Sequence, residues 1–129
     1  MKLEGYRYLT NAEIKAIVKA IKRSDNPEDL SMFLYSLNTG YTAERLSKKL
    51  SDDSDDNSNY FISSKTLERK IKRWSEKAGL SNVTWNTLKY TYIVRARGEG
   101  VPFSEIATAL GKSKAFTINV YRNLMMNGE

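Results

Sequence analysis

The sequence predicts a mainly α-helical single domain, and three observations carry that prediction. Apolar residues recur at three- and four-residue spacing along most of the chain, as in Ile14, Ile17, Val18 and Ile21 or in Leu67, Ile71 and Trp74. Capping residues and glycines punctuate those runs at their ends. One four-residue stretch, "YFIS" at 60–63, is apolar enough for a strand, yet too short for more than an edge. With 129 residues, 40% of them apolar, the chain can bury one ordinary core, so residues 1–129 are read as one compact domain with at most a vestigial β-sheet.

The elements follow in order. Thr10 with Glu13 forms a capping box before the stripe Ile14, Ile17, Val18 and Ile21 of a first helix. Asn26 before Pro27 starts a second, whose Leu30, Phe33, Leu34 and Leu37 face the core until Gly40 ends it. Thr42 caps a third helix through Leu50. The acidic stretch at 51–59, "SDDSDDNSN", carries four acids and no apolar residue, which reads as an exposed flexible loop; it lacks the Gly and terminal Glu of a calcium loop. Ser64 opens a fourth helix with Leu67, Ile71, Trp74 and Ala78 on one face and Gly79 at its end. A fifth runs from Thr84 to Arg97 and ends at Gly98, and Ser104 caps a sixth carrying Ile106, Ala109 and Leu110. After Gly111, Ser113 caps a seventh with Phe116, Val120 and Leu124 inward. The expected core is Leu34, Leu37, Leu67, Ile71, Trp74, Leu88, Ile106, Leu110 and Val120. No internal repeat and no separate linker is visible.

Composition then restricts the chemistry. Cys and His are both absent, which excludes disulfides, thiol nucleophiles, imidazole bases and any His or Cys metal site. Neither a metal nor a cofactor is expected. No apolar run approaches the roughly 20 residues that cross a bilayer, and no signal-peptide pattern opens the chain, so an intracellular, cytoplasmic protein with no membrane partner is expected. The net charge is +6 and unevenly spread: residues 64–78 hold six basic against two acidic residues, and residues 89–129 six against three. That distribution favours a polyanionic partner, nucleic acid ahead of a basic face that is only solvated. The basic residues placed on the DNA-facing side are Arg45, Lys48 and Lys49 of the third helix, Lys65, Arg69, Lys70, Lys72 and Arg73 of the fourth, and Lys112 and Lys114 at the last turn.

"YLTNAEIKAIVKAI", "FLYSLNTGYTAERLSKKL" and "VTWNTLKYTYIVRARGEGVPFSEIATALGKSKAFTINVYRNL", in that order, resemble the outline of the catalytic domain of tyrosine recombinases, the phage-integrase family. The resemblance runs from about Tyr8 to Leu124 and implies that domain's fold. It puts Thr42 where the family has its first catalytic arginine, Asn86 and Lys89 on the histidine and arginine of the His-x-x-Arg box, Lys112 on the later histidine or tryptophan, and Tyr121 on the nucleophile. Lys65 is the candidate for the family's hairpin lysine. Arg45, one turn beyond Thr42, could reach the same phosphate.

Those departures decide between cutting and binding. Tyrosine attack on a phosphodiester needs preorganised positive donors on the nonbridging oxygens, and losing one such donor costs about 10²- to 10³-fold. Lysine does not copy the bidentate fork of arginine, and threonine brings no charge. The expectation is therefore a DNA-binding, recombinase-like protein that does not cut, accessory to DNA integration or recombination or to regulation of a mobile element, with another recombinase or a second copy as a possible further partner. Two alternatives stay open. One is an active minimal recombinase working through Tyr121 with Lys89, Lys112 and Arg45; the other is a helix-turn-helix transcriptional regulator, in which "PFSEIATALGKSKAFTINVYRNL" presents Lys112, Ser113, Lys114, Thr117 and Asn119 to base edges.

Overall fold

Helix caps written into the sequence set most element boundaries. A computed structural model describes residues 6–24, 26–53 and 62–127. Among these residues the elements are α1 (Asn11–Lys22), α2 (Pro27–Thr39), α3 (Ala43–Asp53), α4 (Ser64–Lys77), α5 (Trp85–Gly98), α6 (Phe103–Leu110) and α7 (Lys114–Asn127), with no strand. Thr10 Oγ1 accepts from the Glu13 amide at 3.2 Å while Glu13 Oε1 accepts from the Thr10 amide at 2.9 Å, so two orphan donors at the start of α1 are satisfied together. Asn26 caps α2 with Pro27 in the first turn, and Thr42, Ser63 and Ser113 accept from the amides three residues on at the starts of α3, α4 and α7.

Several boundaries differ from the sequence expectation. The helix α3 continues through Ser51, Asp52 and Asp53, so the acidic stretch begins inside a helix; the rest of 51–59, with its four-acid cluster, lies outside the described residues. Of the expected edge strand, Tyr60 and Phe61 lie outside them too, and Ile62 and Ser63 are neither helix nor strand. Gly98 is the last helical residue of α5, and Gly100, at φ +90°, makes the left-handed turn instead. Pro102, not Ser104, caps α6, because its extended backbone already leads the chain into the helix.

Two packed cores share α5. Leu9, Ile17, Ile21, Phe33, Leu46, Leu67, Ile71 and Trp74 gather from α1 to α4, and Trp85 and Leu88 enter from the first turn of α5. Ile93 and Ala96, further along α5, pack with Ile106, Leu110, Val120 and Leu124 of α6 and α7. Each such fully buried side chain contributes roughly 1.5–3 kcal/mol. Trp85 also spends its only polar atom inside, since Nε1 donates to Ser36 Oγ at 2.9 Å. That bond draws the Met32, Phe33, Ser36 and Leu37 face of α2 inward, which leaves Leu34 37% exposed, against its expected place in the core. In α7 the seam is Thr117, Val120 and Leu124, so Phe116 turns outward at 41% exposure rather than inward. The other expected core residues, from Leu37 to Val120, are buried.

Gly40 joins the two halves. Its φ of +78° ends α2 in the left-handed region, and a Cβ there would meet Leu110 Cδ2 at 2.6 Å and Tyr92 Cδ2 at 2.7 Å. Only a residue without a side chain lets the α2–α3 corner approach α5 and α6 so closely.

Candidate nucleic-acid interface

The end of the chain folds as helix, tight turn, helix. Gly111, at φ +68°, stops α6, the Lys112 amide donates back to the Ala107 carbonyl at 3.0 Å, and Ser113 Oγ accepts from the Phe116 amide at 3.1 Å to start α7. Because Thr117, Val120 and Leu124 occupy the seam, the first two turns of α7 present Lys114, Ala115, Phe116 and Asn119 to solvent. Lys112 is exposed in the turn itself, its Nζ 5.6 Å from the centre of the Phe116 ring. Thr117, placed among the base-facing residues by the sequence, is fully buried instead, its Oγ1 donating to the Ser113 carbonyl at 3.0 Å.

Beside this turn the α2–α3 corner contributes a second group of cations. Arg45 Nη1 donates to the Ala109 carbonyl at 2.7 Å, and its guanidinium lies 4.1 Å from the centre of the Tyr41 ring. Lys89, half-buried on α5, sits within electrostatic reach of both Lys112 and Glu44. Burial, and then the like charge of Lys112, hold the Lys89 ammonium below the ordinary lysine range, while Glu44 opposes them. Among the described residues neither Lys89 nor Lys112 forms an ion pair. Glu44 offsets part of the repulsion between the two lysines.

The third group lies on α4. Lys65, Arg69, Lys72 and Arg73 are exposed on its outer face, opposite the buried Leu67, Ile71 and Trp74. Lys70 does not belong with them: its Nζ binds Asp29 Oδ1 at 2.9 Å, and that carboxylate is buried, so the ammonium is held against α2 rather than offered to DNA. On α3, Lys48 is exposed, whereas Lys49 is partly covered with its Nζ 5.7 Å from the Tyr35 ring centre.

The residues grouped by the recombinase resemblance divide. Lys89 and Lys112 lie within electrostatic reach of each other, Arg45 is held at the Ala109 carbonyl just before the turn that carries Lys112, and Thr42 caps α3 with its hydroxyl occupied by the Arg45 amide at 3.2 Å. Asn86 is exposed on the first turn of α5, and Lys65 is on a helix rather than a hairpin. Tyr121 packs edge-on against Phe103 with ring centres 5.4 Å apart, and among the described residues its hydroxyl makes no hydrogen bond. Glu44, Tyr41 and Tyr92 also lie in this region and were not legible as site residues, because nothing in their local spacing ties them to a lysine far along the chain. No family model matches the chain, and neither does any curated protein or solved structure.

Proposed function

We propose that the protein binds double-stranded DNA without cutting it, docking the start of α7 in the major groove as the second helix of a helix-turn-helix. The observation that carries this reading is the pairing of a tight Gly111–Ser113 turn with an α7 whose first six residues bury only Thr117 and leave Lys114, Ala115, Phe116 and Asn119 outside. Lys112, Lys114 and Arg122 then flank the groove, and Lys48 and the outer face of α4 supply further cations for phosphate. A second reading, a recombinase-like domain that grips DNA at the positions of the family's catalytic residues, is supported by the electrostatic reach between Lys89 and Lys112 and by Arg45 at the Ala109 carbonyl beside their turn. Both readings bind duplex; they differ in whether α7 or those positions touch it first.

The test is the fluorescence anisotropy of a labelled duplex over a series of salt concentrations. About five neutralised phosphates give a slope of roughly −4 to −5 in log affinity against log salt. Lys112→Glu combined with Lys114→Glu weakens binding to every duplex. Binding indifferent to both salt and the double substitution removes the reading.

A further inference from the structure

We infer that α4 is a second DNA-reading helix, equivalent to α7, so that the chain carries two DNA-reading helix pairs and reads two separate blocks of base pairs. The inference rests on the reading of α6 and α7 given above. It comes from a correspondence of α3 with α6 and of α4 with α7, across connections of different length, in which most buried positions coincide although Ile71 on α4 is matched by Val120, one position earlier, on α7.

The match begins before the first helix of each unit. Gly40 and Gly100 both adopt left-handed backbone, at φ +78° and +90°, and each stands two residues before an N-cap, Thr42 or Pro102. Along the helices Leu46 and Ser47 are buried where Ile106 and Ala107 are buried. The return to the second helix involves the corresponding pair of positions, though through different atoms. In one unit Ser47 Oγ donates to the Ile62 carbonyl at 2.6 Å, and in the other the Lys112 amide donates to the Ala107 carbonyl at 3.0 Å. Both bonds tie the residue just before the capping serine to the same position of the preceding helix. The capping serines then act alike, Ser63 accepting from the Thr66 amide at 3.2 Å and Ser113 from the Phe116 amide at 3.1 Å. Four residues after each cap comes a side chain with no exposure, Leu67 or Thr117, and seven further on another buried one, Trp74 or Leu124. Both second helices are 14 residues long.

The repeat assigns chemistry to the outer face of α4. Lys65 and Arg69 are exposed at the positions that Ala115 and Asn119 hold on α7. Arginine is the side chain whose fork matches the O6 and N7 of guanine, and asparagine the one that matches the N6 and N7 of adenine. Arg69 therefore reads a guanine in one block and Asn119 an adenine in the other. The charge of the face fits duplex DNA: its four exposed cations stand against Glu76, while Glu68 is occupied by the Trp85 amide at 3.2 Å. Because Arg45 bonds the α3 end of one unit to the Ala109 carbonyl of the other, the spacing between the two blocks is fixed.

Selection of duplexes from a randomised pool tests this, with circular dichroism confirming that each variant is folded. The wild-type protein is expected to select two blocks of fixed base pairs at one constant spacing. Arg69→Ala relaxes a guanine in one block, lowering the preference for it roughly tenfold or more, and Asn119→Ala relaxes the other block only. A phosphate contact behaves differently: if Arg69→Ala weakens all duplexes alike and reduces the salt slope by about 1, α4 is not a reader and the inference is overturned. One selected block, lost in Asn119→Ala and untouched by Arg69→Ala, overturns it as well while leaving α7 as the reader. Failure of the wild-type protein to bind any duplex, or binding of RNA or an acidic polypeptide in its place, removes the helix-turn-helix reading together with this one.

Discussion

Arg45 and Ala109, 64 residues apart in sequence, are joined by a 2.7 Å hydrogen bond from the guanidinium to the main-chain carbonyl at the end of α6. The bond places a cation where the helix leaves carbonyls unsatisfied, a favourable end for positive charge. It also occupies the arginine that a recombinase-like site would need for phosphate. Arg45→Ala is expected to destabilise the protein by about 0.5–1.5 kcal/mol, whereas Lys48→Ala, exposed on the same helix, stays within about 0.5 kcal/mol. Urea unfolding of the two variants measures the difference, and equal midpoints would show that the bond is not formed in solution.

Gly40 tests how closely the two cores approach. Alanine there costs about 1–2 kcal/mol for the left-handed backbone and a further 1–3 kcal/mol or so for displacing Leu110 and Tyr92. A loss of roughly 2–5 kcal/mol in Gly40→Ala is therefore expected by the same unfolding measurement. Gly79, also left-handed but with nothing near its missing side chain, serves as the control and loses only the backbone part. Equal losses at the two glycines would remove the close approach from the account.

Lys89 makes stability depend on alkaline pH. Its folded pKa is lowered, first by burial and then by Lys112, so the unfolded chain binds more protons and the charged amine costs stability at neutral pH. That cost is fully present below the lowered pKa and is relieved as pH rises from there to the unfolded value near 10.4. Burial raises Tyr90 and Tyr92, which act oppositely in the same range, so the comparison must be between wild type and Lys89→Met, where the tyrosines cancel. The variant is expected to be the more stable at pH 7, with its advantage shrinking toward pH 10. A constant advantage would mean that the charge of Lys89 is not what the fold pays for.

Much of this fold was legible because its signals are local. Thr10 with Glu13, Asn26 with Pro27, and Ser113 after Gly111 each mark a helix end through bonds made within a few residues, and the stripe Leu67, Ile71, Trp74 needs only helical periodicity. Leu34 and Phe116 failed for the complementary reason: which of two neighbouring apolar positions turns inward is decided by partners far away, Trp85 at Ser36 in one case and the α6 seam at Thr117 in the other. Lys70 read as one more cation of a basic face until Asp29 claimed it. The proposed correspondence of α3 and α4 with α6 and α7 is hidden in the sequence because matching buried positions hold unlike residues, Ser47 against Ala107 and Leu67 against Thr117, and because the connection between α3 and α4 is the longer one. The meeting of Lys89 with Lys112 depends wholly on packing.

Tyr121 separates binding from cleavage. Its ring packs on Phe103, itself covered by the Arg97 guanidinium at 4.5 Å, and Thr42 and Asn86 bring no positive charge to a phosphate it would attack. Incubated with a nicked duplex that traps a 3′-phosphotyrosyl intermediate, the protein is expected to give no covalent adduct. Tyr121→Phe keeps its DNA affinity and its stability nearly unchanged. A DNA-shifted protein band that vanishes in Tyr121→Phe would instead establish an active enzyme built from Arg45, Lys89 and Lys112.

The most direct test of docking through α7 is to follow the backbone amides of the isotopically labelled protein by nuclear magnetic resonance as duplex DNA is added. Residues that enter a groove change environment most, and the account puts the largest shifts of the second core at 112–119, in the turn and the first two turns of α7, with the α5 residues beneath them little affected. Shifts of that pattern, reversed by raised salt, are the predicted result. Shifts confined to α1 and α2, with 112–119 unmoved at saturating DNA, would contradict it.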